Sequence, residues 1–391
     1  MVEYNPYDWK IHEDPYPTYA ALRNEAPVYY NEEIDFWALS RHADVLAAFR
    51  DPVRYSNEYG VSLEKEQIRE ARAVMSFLAM DPPDHTRVRA LVNRGFSPRR
   101  VTELEPKIRA LANRYIDAFI DDGECDFIDA FAGRLPMDVI SEMLGVAEAD
   151  RDDLRGWADL VLHREPGNPN VPPAGMAAAA RILKYFAEFV KERRAAPGDG
   201  LTDALISAEI EGDQLADSDI IAFLFLMIIA GNETTTKLLA NALYWLWKHP
   251  AQRDVVRTDP NTIGNWGEET LRFDPSSQLI ARTTTTEIEI HDQKIPAGAR
   301  VALLIGSGNR DERAWDRPDE YDIRRDTRNS LSFGQGTHFC LGASLARLET
   351  RVSLEQLHHR IPDFEIRPDG MMRMHSSNVR GFAVLPIEFG R

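Results

Sequence analysis

The chain has 391 residues, 46 Lys+Arg against 63 Asp+Glu, a formal net charge of −17 and two cysteines. The acidic balance argues against a general binder of nucleic acid or of anionic membrane surfaces. Two cysteines make no disulfide framework, which fits a reducing compartment. The length suffices for one oversized domain or two unequal ones, and we read residues 1–391 as a single domain.

The first forty residues are rich in aromatics and prolines, and the first ten, Met1 to Lys10, contain no apolar stretch. Neither signal peptide nor membrane anchor is expected, and the protein is expected to be soluble and cytoplasmic. Val28-Tyr29-Tyr30 and Phe36-Trp37-Ala38-Leu39 read as two strands around a polar turn. In Asp81-Pro82-Pro83-Asp84-His85-Thr86-Arg87-Val88-Arg89, His85 and Arg89 are four apart and share a helix face, with Arg87 off it. From about Pro98 to Arg257 the periodicity is mainly helical. Loops rich in turn-forming residues break it at Glu165–Gly175 and Ala195–Gly200.

A long helix is expected next, with Asp217-Ser218-Asp219 as its cap and His249-Pro250 as its stop. Its most apolar run, Ile220 to Ala230, is too short to cross a bilayer and too apolar for a surface, so it reads as core. That run ends in Ala230-Gly231-Asn232-Glu233-Thr234-Thr235. A glycine inside a helix costs about 1 kcal/mol relative to alanine, and such a local violation often marks function. Glu269 and Arg272 follow, three apart on one helix face. After Asp274-Pro275 the pattern turns to strands, Thr283–Ile290 and Ala299–Ile305. Phe382-Ala383-Val384 and Ile387-Glu388-Phe389 close the chain, with Pro386 between them, so a strand there is broken or at a sheet edge. The expected fold class is mainly α, a large helical body with small sheets near the N- and C-terminal parts of the sequence.

The most specific stretch is Phe333-Gly334-Gln335-Gly336-Thr337-His338-Phe339-Cys340-Leu341-Gly342. Its glycines allow a tight turn and close approach to a flat ligand. Cys340 lies just before an expected helix, Ala343 to Glu349, whose free N–H groups should lower the thiol pKa. A lone cysteine is ordinarily a small buried apolar residue, and Cys125 is left with that reading.

The Cys340 stretch resembles the haem-binding signature of the cytochrome P450 superfamily, Phe-Gly-x-Gly-x-His-x-Cys-x-Gly, at every defined position. Ligation of haem iron by a cysteine thiolate is a general property of that superfamily. The resemblance spans essentially the whole chain. It implies haem b with Cys340 as metal ligand, held non-covalently because no Cys-x-x-Cys-His is present. Phe333 and Gly334 would form part of the cofactor site. His85, Arg89, Arg282 and His338 would bind the haem propionates.

Ala230–Thr235 is similar to the family's oxygen-activation segment. Thr234 and Glu233 would then be catalytic, steering protons, and Thr235 would face elsewhere. Against this stands a threonine that merely satisfies a carbonyl of its own helix. Glu269 and Arg272 are similar to the family's structural Glu-x-x-Arg pair. In many relatives a third member is an arginine two residues after the meander proline. Here that proline resembles Pro318 and the position holds Glu320, which leaves Arg325 as the candidate.

Phe223, Leu226, Met227 and Ala230 on the long helix, Ser277, Gln278 and Ile280 before Arg282, and the turn carrying Asn378 and Val379 would line an apolar substrate pocket. The implied activity is insertion of one oxygen atom from O2 into an apolar small molecule, by hydroxylation or epoxidation. The chain lacks a Gly-rich dinucleotide motif, so electrons are expected from NAD(P)H through a reductase and a ferredoxin. Arg94, Arg99, Arg100 and Arg347 would form its docking face on an otherwise monomeric protein. A peroxide-driven peroxygenase on the same fold and a non-enzymatic haem sensor are the alternatives.

Overall fold

In a computed structural model the described residues are 2–63, 71–165, 168, 170–210 and 213–390, without the side chains of Arg94, Ile210 and Asp213. Among the described residues helices dominate, with five small sheets between them. The expected mainly-α class is what is found.

The central helix runs Asp217–Lys248 over 32 residues. Its start differs from the expectation. Ala216, extended at φ −67° and ψ 156°, occupies the cap without a side-chain bond, and Asp217 and Asp219 lie inside the first turn. Carboxylates there still oppose the positive end of the helix dipole. The helix is long and apolar enough to cross a membrane by composition, but 67% of its most apolar stretch is buried within the protein. It is a core element, packed against Leu135–Leu144, Arg151–Leu162, Pro173–Ala195, Ile263–Phe273 and Ala343–Arg360. The helix Pro173–Ala195 begins inside the expected loop of residues 165–175, with proline in its first turn, where a missing N–H costs nothing. Residues 166, 167 and 169 of that loop lie outside the described residues.

The largest sheet has five strands in the order Val28–Asn31, Phe36–Leu39, Arg300–Leu304, Leu279–Thr284 and Tyr55–Ser56. The second and third run parallel, with Val301 opposite Trp37, and the other pairs are antiparallel. Side chains alternate, so Val301 and Leu303 pack on one face and Ala302 and Leu304 on the other. Arg282 and Ile280 stand opposite Val301 and Leu303 and therefore share their face. The expected strand over 283–290 is two strands, since residues 285–287 leave the ladder before Ile288–Ile290 pairs with Gln293–Ile295.

Pro386 does not sit at a sheet edge. The strand Pro386–Phe389 is the middle one of three, between Phe364–Ile366 and Glu124–Asp126. Proline is tolerated because it is the first residue of that strand. The break before it is real, since Phe382–Val384 pairs in a separate sheet with Met372–Arg373.

One buried carboxylate, Asp274, ties distant parts of the chain together. It accepts hydrogen bonds from Tyr16 Oη at 2.5 Å, Trp245 Nε1 at 2.9 Å and Arg380 Nε at 2.8 Å. Arg380 in turn donates to the carbonyls of His12 and Glu13.

Candidate active site

The cysteine loop is closed by the Cys340 N–H, which donates to Phe333 O at 2.9 Å. Gly334 and Gly336 take φ of +67° and +70°, and a Cβ on Gly336 would meet Phe49 O at 2.9 Å. Only glycine fits that approach. Gly342 then caps the helix Ala343–Arg360, longer than expected, and space is open around its Cα. Cys340 presents exposed surface at the loop, although dense protein surrounds it. Burial pushes its thiol up. The N–H groups of Gly342 and Ala343 and the Arg89 and Arg347 guanidiniums pull it down without overcoming that burial. The expected helix-terminus effect is present but outweighed.

His85 and Arg89 lie one turn apart on the helix Asp84–Val92. Arg89 donates to Phe339 O at 2.6 Å, beside the cysteine, and stands 5.5 Å over the Phe77 ring. The His85 and His338 rings approach to 4.1 Å. Among the described residues no ring nitrogen of either meets a hydrogen-bond partner in good geometry, and His338 feels the charges of Arg282 and Arg89, the His85 ring and, least, the Met80 carbonyl. Burial lowers the His85 pKa to about 4 and that of His338 to about 2. Arg282 is 2% exposed, and its guanidinium donates to its own neighbour, Ala281 O, at 2.8 Å. Burial, then the like charge of Arg300, lowers it to about 9.

Buried polar groups are ordinarily paired. Two unpaired imidazoles and a buried guanidinium without a carboxylate, gathered around a cysteine loop, form an incomplete site. They suit a ligand that carries two carboxylates and a metal accepting sulfur. Haem fits that donor set.

On the central helix, Ala230 is exposed and Gly231 and Thr234 are half-buried, although residues 222–228 and 235–243 are buried. An opening therefore lies against mid-helix at the predicted segment. Thr234 Oγ1 donates to Ala230 O at 2.8 Å, the intrahelical bond of the simpler reading. Glu233 is not a solvent-facing residue. It is 2% exposed, and Lys237 Nζ lies 3.2 Å from it and is itself buried. The i,i+4 spacing of Glu233 and Lys237 was a legible signal that sequence reasoning missed. Thr235 is buried and faces Glu349 of the helix Ala343–Arg360.

The predicted pocket is only partly brought together. Ala230, Ser277, Ile280 and Asn378 keep accessible surface, and Ser277 bridges to Val379. Leu226, Met227 and Val379 are each 7% exposed. Phe223 is fully buried, with its ring 6.3 Å from Phe77. Gln278 turns away, donating to Pro275 O at 2.8 Å and approaching Tyr16 Oη. It precedes the strand Leu279–Thr284, so strand alternation does not yet govern it.

Glu269 and Arg272 are wholly buried and bidentate at 2.7 and 2.8 Å. Arg272 also donates to Asn309 O, Pro318 O and Glu320 O. Arg325 Nε reaches Glu269 at 3.4 Å, so Glu320 contributes its carbonyl and Arg325 the second cation. Of the expected basic face, Arg347 is paired with Glu268 at 2.6 Å and lies 4.5 Å over Phe333. Arg99 is paired with Glu103, Arg100 is exposed, and the Arg94 side chain is outside the described residues.

The model of the family described as Cytochrome P450 matches residues 174–264 and 267–388. The chain belongs to the cytochrome P450 family and is an oxidoreductase of its monooxygenase class. It is similar to the putative cytochrome P450 123 of Mycobacterium tuberculosis (strain ATCC 25618 / H37Rv), 54% identical over 98% of this chain and 96% of that protein. The vitamin D(3) 25-hydroxylase of Pseudonocardia autotrophica is 38% identical over 97% and 94%. Among solved structures, CYP109E1 from Bacillus megaterium in complex with testosterone superposes with a TM-score of 0.91 at 30% identity, covering 98% of this chain and 99% of that one.

Proposed function

We propose that residues 1–391 act as one soluble, cytoplasmic, monomeric domain. It inserts one oxygen atom from O2 into an apolar small molecule, with electrons from NAD(P)H delivered by a reductase and a ferredoxin. The observation that carries the reading is the pair of imidazoles, His85 and His338, left without hydrogen bonds around the Cys340 loop, with Arg282 buried beside them and in no ion pair among the described residues. Cys340 ligates the iron of haem b, and His85, Arg89, Arg282 and His338 bind its propionates. Phe333 and Gly334 would form part of the site that holds the cofactor. Haem held by a thiolate supplies the activation of dioxygen.

The remaining work is done by side chains. Ala230, Met227, Leu226, Ile280, Ser277, Asn378 and Val379 orient the substrate and exclude water. Phe223 and Gln278 support this wall from behind. A vitamin D hydroxylase and a testosterone complex among the relatives favour a substrate of sterol-like size and polarity. Lys237 keeps Glu233 anionic and able to accept and pass a proton at its Oε atoms. Thr234 rotates its hydroxyl from the Ala230 carbonyl to hand the proton on at Oγ1. Arg100 and Arg347 contribute to the docking face for an acidic ferredoxin.

Paired turnover assays test the proposal, one with NAD(P)H, reductase and ferredoxin and one with hydrogen peroxide alone. Product in the first arm and little in the second is expected. Product only with peroxide would overturn the reading. Thr234→Ala should still consume NAD(P)H but release hydrogen peroxide, with product yield down by about 10²-fold or more, the usual range for a proton-transfer group.

A further inference from the structure

The helix Arg151–Leu162 packs across the central helix and brings a second carboxyl, Asp159, within hydrogen-bonding reach of Glu233. The two residues are 74 positions apart, so nothing in the local pattern announces the contact. Their surroundings differ. Glu233 is buried, with Lys237 Nζ at 3.2 Å. Asp159 is accessible at the surface of its helix, while the packing behind it leaves its charge poorly hydrated. The charged groups facing Asp159 are Glu233 and Lys237 from the central helix and Arg155 from its own helix. Arg155 is already engaged with Asp152 at 3.4 Å and Asp129 at 3.8 Å.

Two adjacent carboxylates cannot both stay ionised cheaply. The cation lies on Glu233, which holds the charge there and leaves the proton on Asp159. Burial, followed by the hydrogen bond and charge of Glu233, raises Asp159 to about 8, and Glu233 is held below its ordinary value by Lys237 against burial.

We propose that Asp159 is the entry group for protons, an accessible carboxylic acid that donates to the buried Glu233 carboxylate and is refilled from solvent. This rests on the reading of Glu233 and Thr234 given above. In the step, an O–H bond of Asp159 breaks as one forms on a Glu233 Oε. The Asp159 carboxylate then takes a proton from water, and no electrons move. Asp159 acts through Glu233, and Lys237 positions the charge.

The first test needs no turnover. In infrared difference spectra of the ferric holoprotein, wild type minus Asp159→Asn, a protonated-carboxyl band should be present at neutral pH and vanish as pH rises through about 8. No such band, or one that titrates in the ordinary carboxylate range, would overturn the proposal.

The second test measures product per NAD(P)H, using whichever of testosterone and vitamin D3 gives the larger spin-state shift. Wild-type coupling should fall above about pH 8, where the donor is empty. Asp159→Asn should lose about ten-fold or more at neutral pH, below the usual ~10²–10⁴-fold for a proton-transfer group because water substitutes in part. Its haem content and spin-state shift should remain normal. Asp159→Glu should restore both the yield and the alkaline limb, which a merely structural role would not. If Glu233→Gln uncouples while Asp159→Asn behaves as wild type, the entry role falls and the Glu233 reading survives. If neither uncouples, both fall.

Discussion

Replacing Cys340 with serine should abolish the red-shifted Soret band of the reduced carbon-monoxide complex, because only thiolate donation produces that shift. Cys125→Ser should leave it intact. Cys125 is half-buried, and burial, with Asp126 and Asp122, pushes its thiol up to about 12, so it stays an inert thiol. Glu349 makes a different prediction. It is 2% exposed, and burial raises its carboxyl well above the ordinary value despite the Thr235 hydroxyl beside it. The folded state therefore keeps a proton that the unfolded chain releases near pH 4.5. Stability is complete below that pH and falls at up to about 1.4 kcal/mol per unit as pH rises toward the folded value. Glu349→Gln should remove that alkaline loss, read as a flatter dependence of Tm on pH. An unchanged slope would mean that Glu349 is ionised in the fold. Thr235→Ala should lower stability by about 1 kcal/mol by removing a buried hydroxyl from a buried carboxyl.

At the scale of elements, packing of the helix Ile263–Phe273 on Ala343–Arg360 depends on Gly267. A Cβ there would lie 2.9 Å from Thr350 Cγ2. Gly267→Ala gains helix propensity but overpacks the crossing, and a net loss of about 1–3 kcal/mol is expected by chemical denaturation. Arg272→Ala, which strands the buried Glu269 beside Arg325 alone, should cost about 3–5 kcal/mol in the same measurement.

These cases show what was legible. The central helix, the first two strands, the cysteine loop and the Glu269–Arg272 spacing follow from local pattern and motif. The placing of the cap at Ala216 and not Asp217, the inward turn of Gln278 and the middle position of Pro386 did not, because neighbours distant in sequence decide them. The contact of Asp159 with Glu233 has the same origin. Burial of Glu233 could have been read from its apolar flanks and from Lys237 one turn on.

Across the whole molecule, Asp274 joins the N-terminal segment, the central helix and the C-terminal turn. Burial alone would raise its carboxyl. Arg380, then Arg373 and the bonds from Tyr16 and Trp245, bring it below the ordinary value. Its contribution to stability is therefore present above about pH 3.8 and is lost as pH falls through the folded value. Asp274→Asn should cost about 3–5 kcal/mol at neutral pH by leaving Arg380 unmatched, and the penalty should shrink in acid. Equal penalties at both pH values would show that the carboxylate is not the source.

The imidazoles of His85 and His338, without hydrogen bonds, and Arg282, in no ion pair among the described residues, also reach beyond catalysis. On the proposed reading, in which haem propionates meet these groups, part of the fold's cohesion is supplied from outside. By mass action its melting point must climb with the concentration of free haem. In a cell short of iron, such a chain is a substrate for proteolysis before it is an idle enzyme, so its abundance should follow haem supply even at constant transcription.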